Sequence, residues 1–278
     1  MTIDQIIENA LIEDLGDGDH TSMATIQTTA KGRAGLFVKQ TGILAGIQIA
    51  EKVFHKVDPA TTFNAILKDG NRIDPGDIAF EVEGNSISLL SAERLALNFL
   101  QRMSGIATYT RQVVDKLSGL KTKVLDTRKT TPLLRELEKY AVKTGGGHNH
   151  RFGLYDMIMI KDNHVDFAGG IEQAITSTLK YLEKNNKDLK IEIEVRDFNE
   201  LQQVISIGGI HRVMLDNFNV SDMKIAVRMI GGKFETEASG SITIDNIREY
   251  AETGVDFISV GALTHQIRSL DMSMKAID

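Results

Sequence analysis

Between Asp126 and His164 the chain places seven Lys or Arg residues, Arg128, Lys129, Arg135, Lys139, Lys143, Arg151 and Lys161, against five acids. The chain as a whole has the opposite sign, with 32 Lys+Arg against 38 Asp+Glu and a formal charge of −6. A cationic stretch inside an acidic protein suits a small polyanionic substrate, because guanidinium and ammonium groups hold carboxylates and phosphates through charge-assisted hydrogen bonds. Arg135, Glu136, Glu138 and Lys139 follow helical spacing and read as a solvated helix face. Arg128, Lys129, His150, Arg151 and Lys161 stand instead at predicted strand ends or beside Gly145-Gly146-Gly147. That glycine run permits close backbone approach to a ligand.

Further along, Glu194 and Asp216 end adjacent predicted strands. They either pair with cations such as Lys161 or hold Mg²⁺ through oxygen ligands and shared substrate phosphates. Glu237-Ala238-Ser239-Gly240 and Val260-Gly261-Ala262 form either a phosphate cradle or simple tight turns. Arg94, Asn98 and Arg102 fall at i, i+4 and i+8 of a helical pattern. They make a solvent stripe, or Arg102 points into a site, a neighbouring subunit's included.

The elements that must position these residues are legible as pattern. Ile3, Ile6, Ile7, Ala10 and Leu11 give a first helix over Thr2 to Glu13. Arg33 to Gln40 and Asp77 to Glu83 are strand-like, and Ser88 to Leu117 is a long helix. From about residue 122, β-rich runs end at Asp126, Lys161, Glu194, Asp216, Ala238 and Val260, the last four spaced 22 residues apart. A strand, two short loops and a helix of about ten residues fill that repeat. The expectation is an α/β protein: an N-terminal α/β sandwich domain over 1–112, then an open, incomplete (β/α) barrel over 113–278, whose last residues pack on the N-terminal domain. In such folds ligands bind at the C-terminal strand ends, where the residues above lie.

Composition narrows the classes. An apolar fraction of 42% with 25% charged residues is that of a globular protein. With no cysteine there are no disulfides, thiolate metal sites or cysteine nucleophile. No apolar run of membrane-spanning length occurs, and the acidic start, MTIDQIIENALIEDLGDGD, is unlike a signal peptide. A cytoplasmic protein that binds neither nucleic acid nor membrane is the expectation.

The stretch DTRKTTPLLRELEKYAVKTGGGHNHRFGLYDMIMIKDNH, with EDLGDGDHTS, SAERLALNFLQRMSGIAT, EIEV, MLDN, EASG and ISVGALTH, resembles the quinolinate phosphoribosyltransferase family over nearly the whole chain. The resemblance implies a Mg²⁺-dependent reaction of quinolinate with phosphoribosyl pyrophosphate (PRPP) in NAD synthesis, by a homodimer or larger homo-oligomer. It implies that Arg102, Arg128, His150, Arg151 and Lys161 surround the quinolinate carboxylates, with Arg102 supplied by the partner subunit. It places Lys129, Glu194 and Asp216 around the ribose, pyrophosphate and metal, with Lys129, Lys161, Glu194 and Asp216 as the catalytic set. Ser239, Gly240, Ser241, Gly261 and Ala262 would bind phosphate. Ser241 stands where the family usually has a second glycine, and Gln266 where it has serine; nothing carries over to His148. Two other readings stay open: a repurposed, non-catalytic paralogue of the molybdenum-transport-associated kind, and a metal-dependent barrel hydrolase using His148, His150, Lys161, His164 and Asp216.

Overall fold

The computed structural model describes every residue from Met1 to Asp278. The chain packs as two compact units, Met1–Arg111 with Thr130–Gly146 and Leu263–Asp278, and Gln112–Lys129 with Gly147–Ala262. In chain order the first stretch holds α1 (Ile3–Leu15), α2 (His20–Thr25), β1 (Lys31–Val38), β2 (Gly42–Ile43), α3 (Ile47–Val57), β3 (Thr62–Ala65), β4 (Arg72–Ile73), β5 (Ile78–Asn85) and α4 (Ser86–Asp115). Then follow β6 (Lys123–Leu125), α5 (Arg135–Thr144), β7 (Ile158–Ile160), α6 (Asp162–Ala168), α7 (Ile171–Lys184), β8 (Ile191–Val195) and α8 (Phe198–Ile207). The chain closes with β9 (Arg212–Asp216), α9 (Val220–Ile230), β10 (Glu235–Ser239), α10 (Ile247–Ala251), β11 (Phe257–Ser259), α11 (Ala262–His265) and β12 (Met272–Ile277). No helix is long and apolar enough to cross a membrane.

In the first unit, α1 starts where Thr2 and Gln5 form a capping box, the Thr2 N–H donating to Gln5 Oε1 at 2.8 Å. Four strands make an antiparallel sheet in the order β12-β1-β5-β3. Phe54 of α3 meets Phe63 and Phe80 of that sheet, with the Phe63 and Phe80 rings stacked at 4.5 Å between centroids. β12 is six residues long, and its register runs from Arg33↔Ile277 to Val38↔Met272. The helix α5 belongs to this unit too, through buried Leu137, Ala141 and Val142.

The second unit is built on six parallel strands in the order β6-β11-β10-β9-β8-β7, open between β6 and β7. Helices between strands start and stop on local signals. Asp197 caps α8 by accepting the Glu200 N–H at 2.9 Å, and Asn219 caps α9 by accepting the Asp222 N–H at 3.0 Å. Gly231 ends α9 at φ +57°. Every residue of β8 is buried, as a strand covered on both faces requires.

Strand side chains alternate, so register decides which ones meet. Pairing sets Glu192 and Glu235 on either side of Arg212, then Glu194 and Glu237 beside Met214, and then Ser239 beside Asp216. One face of the sheet therefore carries a layer of ionisable residues low on the strands and another at their C-terminal ends. Apolar branched side chains are the usual filling there.

Candidate active site

At the C-terminal strand ends lies a cavity of about 330 Å³ lined by Thr127, Arg128, Lys129, His150, Arg151, Lys161, Ser239 and others. Arg128 and Lys129 follow β6, where the Lys129 N–H donates to Thr127 Oγ1 at 3.0 Å. Arg151 donates from Nη1 to Met157 O at 3.1 Å. Burial lowers its pKa, and the neighbouring Arg128 charge lowers it further. Two guanidinium groups close enough for the charge of one to disfavour that of Arg151, with Lys129 and Lys161 lining the same cavity, make a site suited to a polyanion.

Lys161 Nζ lies 3.5 Å from Glu194 Oε2, the lysine side chain 47% exposed and the glutamate 10%. The Glu194 carboxyl is pushed up by burial, and Asp216 and Asp162 add to this against Lys161. Glu194 and Asp216 do not line the cavity but flank Lys161 at its edge. Of the phosphate-side residues, Ser239 lines the cavity, while Gly240, Ser241, Gly261 and Ala262 lie beyond it in sequence order along the same strand ends. Ser241 is exposed and holds φ +52°, a backbone conformation that glycine adopts without strain.

His150 departs from the expected posture. Its Nε2 faces away from solvent, 3.0 Å from Glu192 Oε2 and 3.4 Å from Glu237 Oε2, and the Arg151 N–H points at its Nδ1 from 2.6 Å. Its own N–H donates to buried Asp126 at 2.8 Å. Burial disfavours a charged ring, but Glu192 and Glu237 outweigh it and push the pKa up to about 9. The Arg151 dipole favours a neutral ring; two carboxylates at this distance are the stronger influence. Arg212 completes the group, with Nη1 3.0 Å from Glu237 and 4.0 Å from Glu192 and its guanidinium 4.0 Å above the Phe257 ring. Burial raises the Glu192 pKa and the Glu237 charge raises it further, while His150 and Arg212 hold Glu237 low against its burial.

His150, Glu192 and Glu237 are the one trio whose ligand atoms come within 4.8 Å of one another. A cation already stands among them, the Arg212 guanidinium, so two acids face two bases and a divalent ion would meet an excess of positive charge. The hydrolase constellation is not assembled either: His164 Nδ1 accepts the Lys161 N–H at 2.9 Å, and His211 Nδ1 accepts the Ile191 N–H at 3.0 Å.

Arg102 belongs to the first unit, where its Nε and Nη2 reach Glu138 Oε1 at 2.9 and 2.6 Å and Nη2 also donates to Thr131 Oγ1 at 2.7 Å. Glu138 is 1% exposed and Lys139 2%, so the expected solvated face of α5 is corrected: both are buried. Helical spacing alone cannot tell which stripe of a short, charged helix turns inward. Arg94 and Asn98 are exposed on α4, as a solvent stripe would be. Sequence reasoning also missed Glu192 and Arg212 as members of any site. The signal was available: Glu192 and Glu194 differ by two positions on one strand and must share a face.

Known proteins place the chain firmly. Residues 19–104 match the model of the quinolinate phosphoribosyl transferase N-terminal domain, and residues 106–275 match that of the C-terminal domain. A quinolinate phosphoribosyltransferase [decarboxylating] 2b, mitochondrial, of Nicotiana tabacum is 42% identical over 98% of this chain and 81% of its own length. The probable nicotinate-nucleotide pyrophosphorylase [carboxylating] of Bacillus subtilis (strain 168) is 40% identical over 99% of this chain and 93% of its own. The crystal structure of NadC from Streptococcus pyogenes superposes with a TM-score of 0.94 at 39% identity, covering 99% of this chain and 97% of that one.

Proposed function

The chain belongs to the quinolinate phosphoribosyltransferase family, and from that premise we infer that it transfers the phosphoribosyl group of PRPP to quinolinate with decarboxylation. The products are nicotinate mononucleotide, CO₂ and pyrophosphate, in NAD synthesis. The observation that carries the reading is the cavity wall on which Arg128, Lys129, Arg151 and Lys161 converge.

Quinolinate is a dianion and PRPP carries more negative charge still, so the two repel in water. At an effective dielectric near 20, each cation about 4 Å from an anion contributes roughly 4 kcal/mol of attraction before desolvation. Arg128, Arg151 and Lys161 hold the two carboxylates and fix the pyridine nitrogen toward C1′. Lys129 and the Ser239–Gly240 turn hold phosphate groups, with Ser241, Gly261 and Ala262 alongside. As the C1′–oxygen bond of pyrophosphate lengthens, positive charge grows on the ribose and the nitrogen lone pair closes on C1′. The resulting pyridinium accepts the electron pair released when the adjacent carboxylate leaves as CO₂, and a proton then fills C2. Positioning and charge stabilisation are the protein's share; no covalent nucleophile is needed.

Glu194 and Asp216, with Asp162 close by, fit a hard divalent cation, because burial and mutual repulsion leave this carboxylate group short of positive charge with Lys161 alone. Mg²⁺ held by Glu194 and Asp216 would neutralise pyrophosphate and so make it a better leaving group. His150 acts in this scheme by supporting Arg151 from beneath.

The test is incubation with quinolinate, PRPP and Mg²⁺, following pyrophosphate and nicotinate mononucleotide together. Product that requires all three supports the reading. Absence of both turnover and quinolinate binding would indicate a repurposed scaffold and overturn it. We also propose a homodimer or larger homo-oligomer in which Arg102 serves the partner subunit's site. Mixing Arg102→Ala with Lys161→Ala protein should then restore turnover absent from either alone; no restoration would keep the arginine within its own chain.

A further inference from the structure

Asn217 directly follows β9 with φ +55°, in the left-handed region that asparagine tolerates better than most side chains. Three contacts hold it there. Its N–H donates to Ser239 O of β10 at 2.9 Å. Its Nδ2 donates to Asp216 Oδ2 at 2.6 Å, a short bond of the charge-assisted kind. Its side-chain amide packs closely against Gly240: a methyl group added to that glycine would fall on Asn217 Oδ1 and 2.6 Å from its Cγ. Gly240 is therefore required twice over, by this contact and by its own φ of +94°.

One exposed side chain thus joins two strand ends of different chemistry. On one side is the Asp216 carboxylate, on the other the Ser239–Gly240 turn. PRPP has the matching shape, a pentose with pyrophosphate at one end and phosphate at the other. Its two ends can be received together only if the carboxylate side and the phosphate turn keep a fixed separation. A free Asp216 side chain would sample other rotamers, and each would move the charge that faces the pyrophosphate.

We propose that Asn217 is a positioning residue for PRPP, which locks the Asp216 carboxylate to the Ser239–Gly240 turn so that both ends of the substrate are held in one geometry. The proposal rests on the assignment of Asp216 and Ser239–Gly240 to the PRPP side. Asn217 touches neither reacting atom; it acts through Asp216 and Gly240.

Asn217→Gly keeps the left-handed backbone and removes only the amide, so it separates positioning from folding. Loss of a hydrogen bond to a charged group should raise the KM for PRPP roughly 10- to 100-fold. The Mg²⁺ concentration for half-maximal rate should rise with it. Quinolinate affinity, by calorimetry with no PRPP present, and the melting temperature should stay at wild-type values. Asn217→Asp, which sets a second carboxylate beside Asp216, should weaken PRPP use further, and more so at low Mg²⁺. Asp216→Asn is measured in parallel. If Asn217→Gly behaves as wild type while Asp216→Asn loses PRPP affinity, the positioning role is overturned and the assignment of Asp216 stands. If neither changes PRPP use, the assignment fails and the proposal fails with it. An equal loss of quinolinate affinity in Asn217→Gly would mean general damage to the pocket, which also overturns it.

Discussion

Glu192 and Glu194 are the same residue type on the same strand, two positions apart and facing the same side, yet they sit in different electrostatic worlds. Glu192 is fully buried, packed against His150 and Arg212. Glu194 is one layer higher, where its partner Lys161 is half exposed and Asp216 stands nearby. In the lower layer two acids and two bases answer each other, and both oxygens of Glu192 lack a well-directed hydrogen bond. In the upper layer Lys161 lines the cavity and pairs with Glu194, which does not line it. A step of about 7 Å along a strand thus separates a carboxylate in a closed, buried network from one paired with a half-exposed lysine that lines the cavity.

The comparison breaks most readily from below. Glu237→Ala removes one carboxylate from the buried group and leaves His150 and Arg212 with excess charge; we expect a loss of about 3–5 kcal/mol in denaturant unfolding. A loss within the range of surface substitutions would mean that the lower layer is not a paired network.

The pH dependence tests the same layer more gently. The His150 pKa is raised in the folded state, so its contribution to stability is fully present below about 6.5 and is lost as pH rises through about 9. Wild-type stability should fall over that window by a few kcal/mol at most, and the His150→Gln protein should show a flatter profile. Equal slopes would remove the imidazolium from the network.

The upper layer should respond in activity and not in stability. Asp216→Ala should lower turnover roughly 100-fold or more, with unfolding midpoints little changed. Equal losses in both measurements would erase the distinction between the layers.

Arg102 offers a smaller and sharper case. Because Glu138 is buried against it, Arg102→Ala alone should destabilise the protein by about 1–3 kcal/mol, contrary to the expectation for an exposed helix stripe. Adding Glu138→Gln should recover part of that loss. Quinolinate titration of the double variant then reads any ligand role of the arginine without the folding defect.

Much of the architecture was open to reading. The 22-residue recurrence of β-rich runs follows from helices of similar length covering successive strands, and the structure has strand ends at Val195, Asp216, Ser239 and Ser259. Two-residue strands such as β2 and β4, and the terminal β12, carry too little pattern to stand out. They exist because distant partners hydrogen-bond them, as Gly42 does with Ile73. The cations Arg128, Lys129, Arg151 and Lys161 were visible as residues at strand ends, and they do share one cavity. His150 was visible too, but not the direction of its ring, which depends on Glu192 and Glu237, 42 and 87 residues away in the chain.

Alternation, capping residues and charge types are local properties, and the sequence by itself determined them: where helices begin, which strand positions share a face, and that a cationic site lies within an acidic protein. The tertiary structure decided depth. Register between β8, β9 and β10 set Glu192 level with Arg212, Glu194 and Glu237 level with Met214, and Asp216 level with Ser239 at the strand ends, and of these Glu237, Met214 and Ser239 line the cavity. Depth fixes how much water each charge keeps, and the cost of losing that water turns a carboxylate into either a structural partner or a group that awaits a ligand.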